Sequence, residues 1–183
     1  MDEHDEVVRD IGFSKFIIRH FTNREGGTGI WGFLHSNTFG PGAQVLAVTK
    51  DHTVILERSY RIPLKKHVIE LPGGTNDIEG ESLQQVASRE LREETGYGGG
   101  EYSFLAEVPE SPGVTDQTNA LFFAYGVSRE GPAKLGLDET IEILEVPLRG
   151  LLAFLRSTKE PVDLKVYAAL LLLPREFLEE AID

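Results

Sequence analysis

The segment Ser82–Thr95 constrains the fold more than any other part of the chain, because its apolar residues follow a helical period. At about 100° per residue, those residues fall within roughly 140° of arc: Leu83, Val86, Ala87 and Leu91. Ser82 and Gln85 have the spacing of a capping box, and Gly96 is a natural C-terminal stop. The pattern predicts an amphipathic helix that packs one face on a core.

Three acidic residues share the face of this helix that should be buried. Glu90 and Glu94 lie within the apolar arc, and Glu93 lies at its edge. Neighbouring glutamates usually form a solvated acidic patch, but carboxylates on a half-buried face repel one another and lose hydration. Arg89 can neutralise one of them, and the others suit a hard divalent cation with oxygen ligands, Mg²⁺ or Mn²⁺.

Two glycines, Gly73 and Gly74, stand before the helix, at the end of the apolar segment His67–Leu71. Glycine permits a tight turn and a close approach of the backbone. Such a turn could offer a backbone carbonyl to the same cation, and a purely structural turn is the alternative interpretation.

The rest of the chain combines strand-like segments with a helical C-terminal part. Strands are predicted for eight segments: Phe13–Phe21, Ile30–Leu34, Gln44–Val48, Thr53–Glu57, His67–Leu71, Tyr102–Val108, Ala120–Val127 and Ile141–Val146. Helices are predicted for Leu148–Arg156 and Leu164–Leu173, whereas residues 1–8 and the acidic end Glu179–Asp183 are expected to be irregular. This order predicts an α+β fold with a mixed β-sheet.

The composition excludes several classes of function. The chain has 183 residues, no cysteine and a formal net charge of −12, which rules out disulfides, thiolate catalysis and cysteine-based zinc sites. The charge opposes nucleic-acid backbones and anionic membranes, and no aliphatic run is long enough to span a bilayer. The acidic N-terminus is unlike a signal peptide, so we expect a cytoplasmic protein with no nucleic acid or membrane partner.

The glycine turn and the helix together resemble the signature of the Nudix hydrolase family. The signature reads Gly, five residues, Glu, seven residues, Arg-Glu-apolar-x-Glu-Glu-x-Gly-apolar, and the matching residues are Gly74, Glu81, Arg89-Glu90-Leu91, Glu93-Glu94 and Gly96-Tyr97. Six residues, Thr75–Gly80, replace the usual five, and this insertion lies in the loop rather than the helix. The resemblance implies an α/β/α sandwich that fits the whole chain.

The resemblance also implies roles for residues of the signature. Glu90, Glu93 and Glu94 would bind Mg²⁺ or Mn²⁺, and the backbone carbonyl of Gly74 would join them. Glu81 and Arg89 would form a supporting ion pair that orients the loop and the helix.

Two flanking segments are similar to the branch of the family that hydrolyses ADP-ribose and nucleotide sugars. They are Glu57–Pro63, with its Tyr-Arg element, and Glu110–Gln117, with its Ser-Pro-Gly element. Eight residues would then bind substrate: Arg58, Tyr60, Arg61, Glu70, Pro112, Gly113, Asp116 and Gln117. The arginines suit phosphates as planar forks, and the alternative interpretation of each is a surface, strand-end or turn residue.

The expected reaction is attack of water on one phosphorus of the diphosphate, giving a nucleoside monophosphate and a sugar phosphate. In this branch the general base often follows the Ser-Pro-Gly segment, where Glu139 and Glu142 lie. Of these two, Glu139 is the favoured base, and Glu93 is the competing candidate. Two alternatives remain: a Nudix hydrolase of nucleoside triphosphates or capped RNA, and a catalytically silent ligand-binding Nudix domain.

The chain is expected to divide into an N-terminal β segment, residues 1–40, and a Nudix hydrolase domain, residues 41–183. Enzymes of the branch are usually homodimers, and the apolar side chains of Phe13–Leu34 favour association. The sequence Gly27-Thr28-Gly29-Ile30-Trp31-Gly32 matches a dinucleotide-binding fingerprint, but β-like residues follow it where that fold needs a helix.

Overall fold

The computed structural model describes residues 3–136 and 140–183 of the chain. An antiparallel three-stranded sheet comes first, in the order β1 (Glu3–Asp10), β2 (Ser14–Thr22) and β3 (Thr28–Ser36). The prediction of irregular structure at the N-terminus was therefore wrong. Charged pairs across the strands stabilise β1 where apolar alternation is weak, and Arg19 donates to Asp5 over 2.7 Å.

A mixed sheet forms the centre of the molecule. Eight strands belong to it in the described residues: β4 (Gly42–Thr49), β5 (Thr53–Arg61), β6 (Lys66–Glu70), β7 (Gly73–Gly74), β8 (Tyr97–Gly98), β9 (Glu101–Pro109), β10 (Thr118–Arg129) and β11 (Ile141–Pro147). The order β11-β5-β4-β10-β8 contains one parallel pair, β4 with β10, and the remaining described pairs are antiparallel. The predicted mixed sheet is confirmed.

Helices cover both faces of this sheet. Helix α1 (Leu83–Thr95) covers one face, over a core that includes Val45, Ile55 and Leu91. Helices α2 (Leu151–Ser157), α3 (Leu164–Leu171) and α4 (Arg175–Ile182) pack on the other face, over Leu46, Leu56 and their neighbours. The α/β/α sandwich is confirmed. In the described residues, no helix has the length and apolarity needed to cross a membrane.

The acidic C-terminal end is helical, contrary to expectation. Pro174 stands at the N-cap of α4, where its missing N–H costs no hydrogen bond. Phe177 packs on the core and Ala181 is fully buried. These two apolar contacts hold the helix in spite of its acidic outer face.

Strands β4 and β5 diverge, and this divergence opens the cleft that holds the candidate site. They pair with each other only at Ala47–Ile55 and Val48–Val54 among the described residues. Farther along, β5 pairs with β6 and β4 pairs with the short β7, Gly73–Gly74. The glycine turn therefore lies between the two separated strands.

Candidate active site

Helix α1 lies against the sheet by the apolar face that its sequence predicts. Its fully buried apolar residues are Val86, Ala87 and Leu91. The capping box is present, since the Ser82 side chain accepts from the Gln85 N–H and the Gln85 side chain accepts from the Ser82 N–H. Gly96 ends the helix with a φ of 74°, a conformation that favours glycine. The caps and the apolar face together fix the phase of the acidic residues.

The carboxylates of Glu90 and Glu94 lie at the Gly73–Gly74 turn. The N–H of Gly73 donates to Oε2 of Glu94 over 2.7 Å. A Cβ on Gly74 would lie 2.5 Å from Oε1 of Glu90, so a side chain there would displace the carboxylate. The fold thus brings together the turn and the two helix carboxylates.

Arg89 connects the helix carboxylates with the loop before the helix. Its guanidinium donates to Glu90 over 2.8 Å, to Glu93 over 3.2 Å, and to both Glu81 and Asp77 over 3.1 Å. Burial disfavours its charge, but the hydrogen bonds to Glu81 and Glu90 outweigh burial and raise the pKa of Arg89. The Glu81–Arg89 contact is present in spite of the inserted loop residue.

Glu57 is a buried acid at the site that the sequence analysis missed. Along β5, Ile55 faces the α1 side of the sheet, so Glu57, two residues on, faces the same side. Its side chain is within hydrogen-bonding reach of Glu94. Burial, reinforced by Glu57 and Glu90, raises the pKa of Glu94 to about 10. The signal in the sequence was the acid at the end of the apolar run Val54–Leu56.

The residues present fit a divalent metal ion. Glu57, Glu90 and Glu94 offer carboxylate oxygens in a partly desolvated layer, and such acids are stabilised by a hard cation. Within the described ranges, no three acidic or histidine side chains enclose a metal ion by themselves. Arg89 holds the carboxylates of Glu90 and Glu93 in salt bridges instead.

Arg61 and Glu70 form a pair at the mouth of the cleft. Nε of Arg61 donates to both carboxylate oxygens of Glu70, over 2.8 and 3.0 Å. Burial raises the pKa of Glu70 although Arg61 opposes the shift. About half of the Arg61 side chain stays exposed, so its guanidinium can reach a ligand. Tyr60 lies beside it on the rim.

Arg58 and Glu142 lie away from the cleft. Arg58 stands three residues before Arg61 on β5, so the two side chains leave opposite faces of the sheet. Its guanidinium donates to Glu160 over 2.5 Å and to Glu142 over 3.1 Å. The structure therefore places the predicted phosphate ligand Arg58 and the candidate base Glu142 in an ion-pair network on the other face.

The Ser-Pro-Gly loop is attached to the N-terminal sheet. Nε1 of Trp31 donates to the Gly113 carbonyl over 3.2 Å, and Pro112 and Gly113 are exposed. The ring of His35 hydrogen-bonds Asp116 over 2.7 Å. Of the four loop residues predicted to bind substrate, Gln117 lines the cleft in the described structure.

The cleft has a volume of about 650 Å³. Its lining includes Gln44, Ser59, Tyr60, Arg61, Gly73, Gly74, Arg89, Glu90, Glu93, Glu94, Glu110, Gln117 and Asn119. Thr140 and Ile141 line it as well. Glu139, the favoured base of the sequence analysis, lies outside the described residues.

The comparisons with known proteins agree with this geometry. The sequence matches the NUDIX domain over residues 38–170. An ADP-ribose pyrophosphatase of Bacillus subtilis (strain 168) is 36% identical over 142 residues, which cover 76% of each chain. A methanol dehydrogenase activator of Bacillus methanolicus is 35% identical over 121 residues, and the match covers 65% of each chain, slightly less than two thirds.

The solved structure of an ADP compounds hydrolase has the same fold. It superposes with a TM-score of 0.78 over 96% of this chain and 92% of that one, at 21% sequence identity. The domain match covers most of the chain, and the identity to the Bacillus subtilis protein extends over three quarters of it. The chain therefore belongs to the Nudix family.

Proposed function

We propose that this protein hydrolyses the diphosphate linkage of ADP-ribose or a related nucleoside diphosphate sugar, with Mg²⁺ as its cofactor. The products would be a nucleoside monophosphate and a sugar phosphate. The observation that carries the proposal is the layer of carboxylates at the Gly73–Gly74 turn, inside a cleft with Arg61 at its mouth. The similarity to an ADP-ribose pyrophosphatase supports the choice of substrate.

The acids of α1 are the groups that would hold the metal. Glu90, Glu93 and Glu94 would supply carboxylate oxygens, the Gly74 carbonyl would join them, and Glu57 on β5 lies next to Glu94 as a further acid. These residues would hold a divalent ion that would supply polarisation of phosphate oxygens and a lower pKa of bound water. Arg89, held by Glu81, keeps the helix and the loop in a fixed relation.

Arg61, at the mouth of the cleft, would bind the diphosphate itself. Arg61 presents a planar donor fork to phosphate oxygens, and Glu70 fixes its orientation. Water attacks one phosphorus, the bridging oxygen leaves with the other phosphate, and a carboxylate takes the proton. Glu139 and the competing Glu93 are the two candidate bases, and Glu93, with about half of its side chain exposed, lies at the cleft.

The test is a substrate panel at equal enzyme concentration. ADP-ribose, GDP-mannose, a UDP-sugar and a nucleoside triphosphate would be incubated with Mg²⁺, Mn²⁺ or excess chelator, and the products separated by chromatography. We expect AMP and ribose 5-phosphate from ADP-ribose, with activity abolished by chelator. Hydrolysis in ¹⁸O-water, followed by mass spectrometry of both products, identifies the phosphorus that is attacked. Faster turnover of the triphosphate than of every diphosphate sugar would reject the substrate assignment.

The N-terminal β segment, residues 1–40, is proposed to join two copies into a homodimer, and residues 41–183 to form the hydrolase domain. Phe16 and Leu34 are cross-strand partners, and Ile30 lies on the same face of β3, four residues before Leu34. All three are large, exposed apolar side chains. A face of this kind favours association. We propose a cytoplasmic enzyme, and the acidic composition opposes a nucleic-acid partner.

A further inference from the structure

The cleft has two unlike walls on either side of the Gly73–Gly74 turn. One wall comes from the β5–β6 hairpin and carries Tyr60 and Arg61. The other comes from β4, β10 and the residues just before β10, where the carboxylate of Glu110 lies beside three amide side chains, Gln44, Gln117 and Asn119. We call these three residues the amide wall.

Two residues of the amide wall have buried polar atoms without partners. Asn119 is 4% exposed, and its Nδ2 has no hydrogen-bond partner in the described part of the chain. Oε1 of Gln44 is likewise buried and without a partner there. Buried amides that lack hydrogen bonds are destabilising and uncommon in folded proteins. Their presence in a cleft indicates that a ligand supplies the missing partners.

The two amides are neighbours on one face of the sheet. In the parallel register of β4 and β10, Gln44 is opposite Leu121, and Asn119 lies two residues before Leu121. Leu46 and Leu121, which lie on the same face of the sheet as the two amides, are apolar and fully buried. An apolar side chain would therefore suit the packing at either position, so packing does not account for the amides.

The chemistry of the pair matches hydroxyl groups. The amides carry no charge, so they are weaker phosphate ligands than Arg61, which can pair with phosphate oxygens directly. Together they present one free acceptor and one free donor, and an exchange of amide oxygen and nitrogen in both residues preserves that combination. A hydroxyl both donates and accepts, so a pair of sugar hydroxyls satisfies both amides.

We propose that Gln44 and Asn119 form the subsite that binds the hydroxyl groups of the sugar at the far end of the diphosphate. This inference rests on the proposed function and adds the orientation of the substrate. Among the described residues that line the cleft, Tyr60 is the aromatic one, and it lies on the opposite wall. In the proposed orientation the Tyr60 ring is available to stack on the nucleobase, and the sugar lies at the amide wall.

The test compares two substrates that differ only in the sugar. ADP-ribose carries the hydroxyls, whereas an alkyl ester of ADP keeps the nucleoside and the diphosphate without them. For Asn119→Leu and Gln44→Leu, we expect kcat/KM for ADP-ribose to fall at least about tenfold and that for the alkyl ester to change less than about twofold. Gln84→Leu, on the exposed side of α1, is the control and should leave both values unchanged.

The melting temperature of the variant is a second measurement. If Asn119 had only a structural role, Asn119→Leu would lower it. Because Asn119→Leu removes a buried amide without a partner, its melting temperature should equal or exceed that of the wild type. Equal losses on both substrates, or no loss on either, would overturn the subsite.

A change in selectivity among nucleobases instead of sugars would also overturn the subsite, because it would place the nucleobase at the amide wall. A wild type that cleaves no diphosphate sugar would reject the proposed function and the subsite together. Wild-type turnover with unchanged selectivity in both variants would reject the subsite alone.

Discussion

Glu57 of β5 and Glu94 of α1 bring two carboxyl groups within hydrogen-bonding reach in the buried layer between sheet and helix. The N–H of Gly73 donates to Glu94 from the other side. Two acids in such a place either share a proton or share a cation. We expect exchange between these two states to relate metal binding, pH and stability in this protein.

The first prediction concerns the metal. Glu94→Gln should lower kcat at least about a hundredfold, because it removes a main electrostatic element of the site. The fold should survive, since a buried acid cluster is not a source of stability. Mn²⁺ binding followed by electron paramagnetic resonance should weaken in parallel, and Glu107→Gln, an exposed acid on β9, is the control. Full activity of Glu94→Gln, or of the wild type in excess chelator, contradicts the metal site.

The second prediction concerns pH. The folded pKa of Glu94, about 10, lies above its ordinary value of 4.5. Between these values the unfolded chain releases a proton that the folded chain keeps, so the metal-free protein loses stability as the pH rises. The stability is fully present below pH 4.5 and falls toward pH 10. Melting in chelator at several pH values measures the slope.

Two controls accompany the pH series. Glu94→Gln should flatten the slope, because the variant cannot titrate at this position. Saturating Mg²⁺ should also flatten it, because the cation takes the place of the proton. A slope that is equal in wild type, variant and Mg²⁺-saturated protein would assign the titration to another group.

The third prediction separates two arginines of one strand. Arg61→Ala should raise KM about tenfold and lower kcat less than about threefold, because a phosphate contact held in both ground and transition states is uniform binding. Arg58→Ala is the matched control, since its guanidinium pairs with Glu160 on the opposite face. Steady-state kinetics with ADP-ribose measures both. If Arg58→Ala raised KM as much as Arg61→Ala did, the proposed orientation of β5 at the cleft would be wrong.

The fourth prediction concerns the glycine turn. Gly74→Ala places a Cβ 2.5 Å from Oε1 of Glu90, so the carboxylate must move. We expect Mn²⁺ affinity to fall at least about tenfold, as it does when the shell that orients metal ligands is disturbed. Gly131→Ala is the control, because its Cβ would meet no atom within 4 Å. Equal Mn²⁺ affinities in the two variants would show that Glu90 does not bind the metal.

The fifth prediction concerns assembly. Ile30 is 64% exposed on the N-terminal sheet, and a charge there should disrupt an apolar dimer interface. Light scattering at micromolar concentration should report a dimer for the wild type and a monomer for Ile30→Glu. Leu171 on α3 is about as exposed as Ile30, and Leu171→Glu should remain dimeric. If the wild type were a monomer, the proposed homodimer would be wrong.

The sequence predicted the elements whose signals are local. Helix α1 was predictable because its period, its cap and its stop lie within fifteen consecutive residues. The period of two along β5 would also have separated Arg58 from Arg61, since residues three apart leave opposite faces of a strand. Strand β1 could not be predicted in this way, because its pairing with β2 depends on charged contacts such as Asp5–Arg19.

Other parts of the candidate site depend on contacts that are distant in sequence. Glu57 and Glu94 meet only because α1 folds back over β5. Gln44 and Asn119 become neighbours through a parallel pairing of strands whose order the sequence leaves open. Asp116 was assigned to the substrate, but a histidine 81 residues away engages it.

The attachment of β3 to the Ser-Pro-Gly loop has a practical consequence for dissecting the protein. The N–H of Leu34 donates to the Val114 carbonyl, and the Asp116 N–H donates to the Leu34 carbonyl, beside the Trp31–Gly113 and His35–Asp116 contacts. A division of the chain at residue 40 separates β3 from loop 111–116, although hydrogen bonds join the two. A truncated chain that starts at residue 41 would leave loop 111–116 without these hydrogen bonds, so we expect a stable fragment to need residues from both sides of that cut.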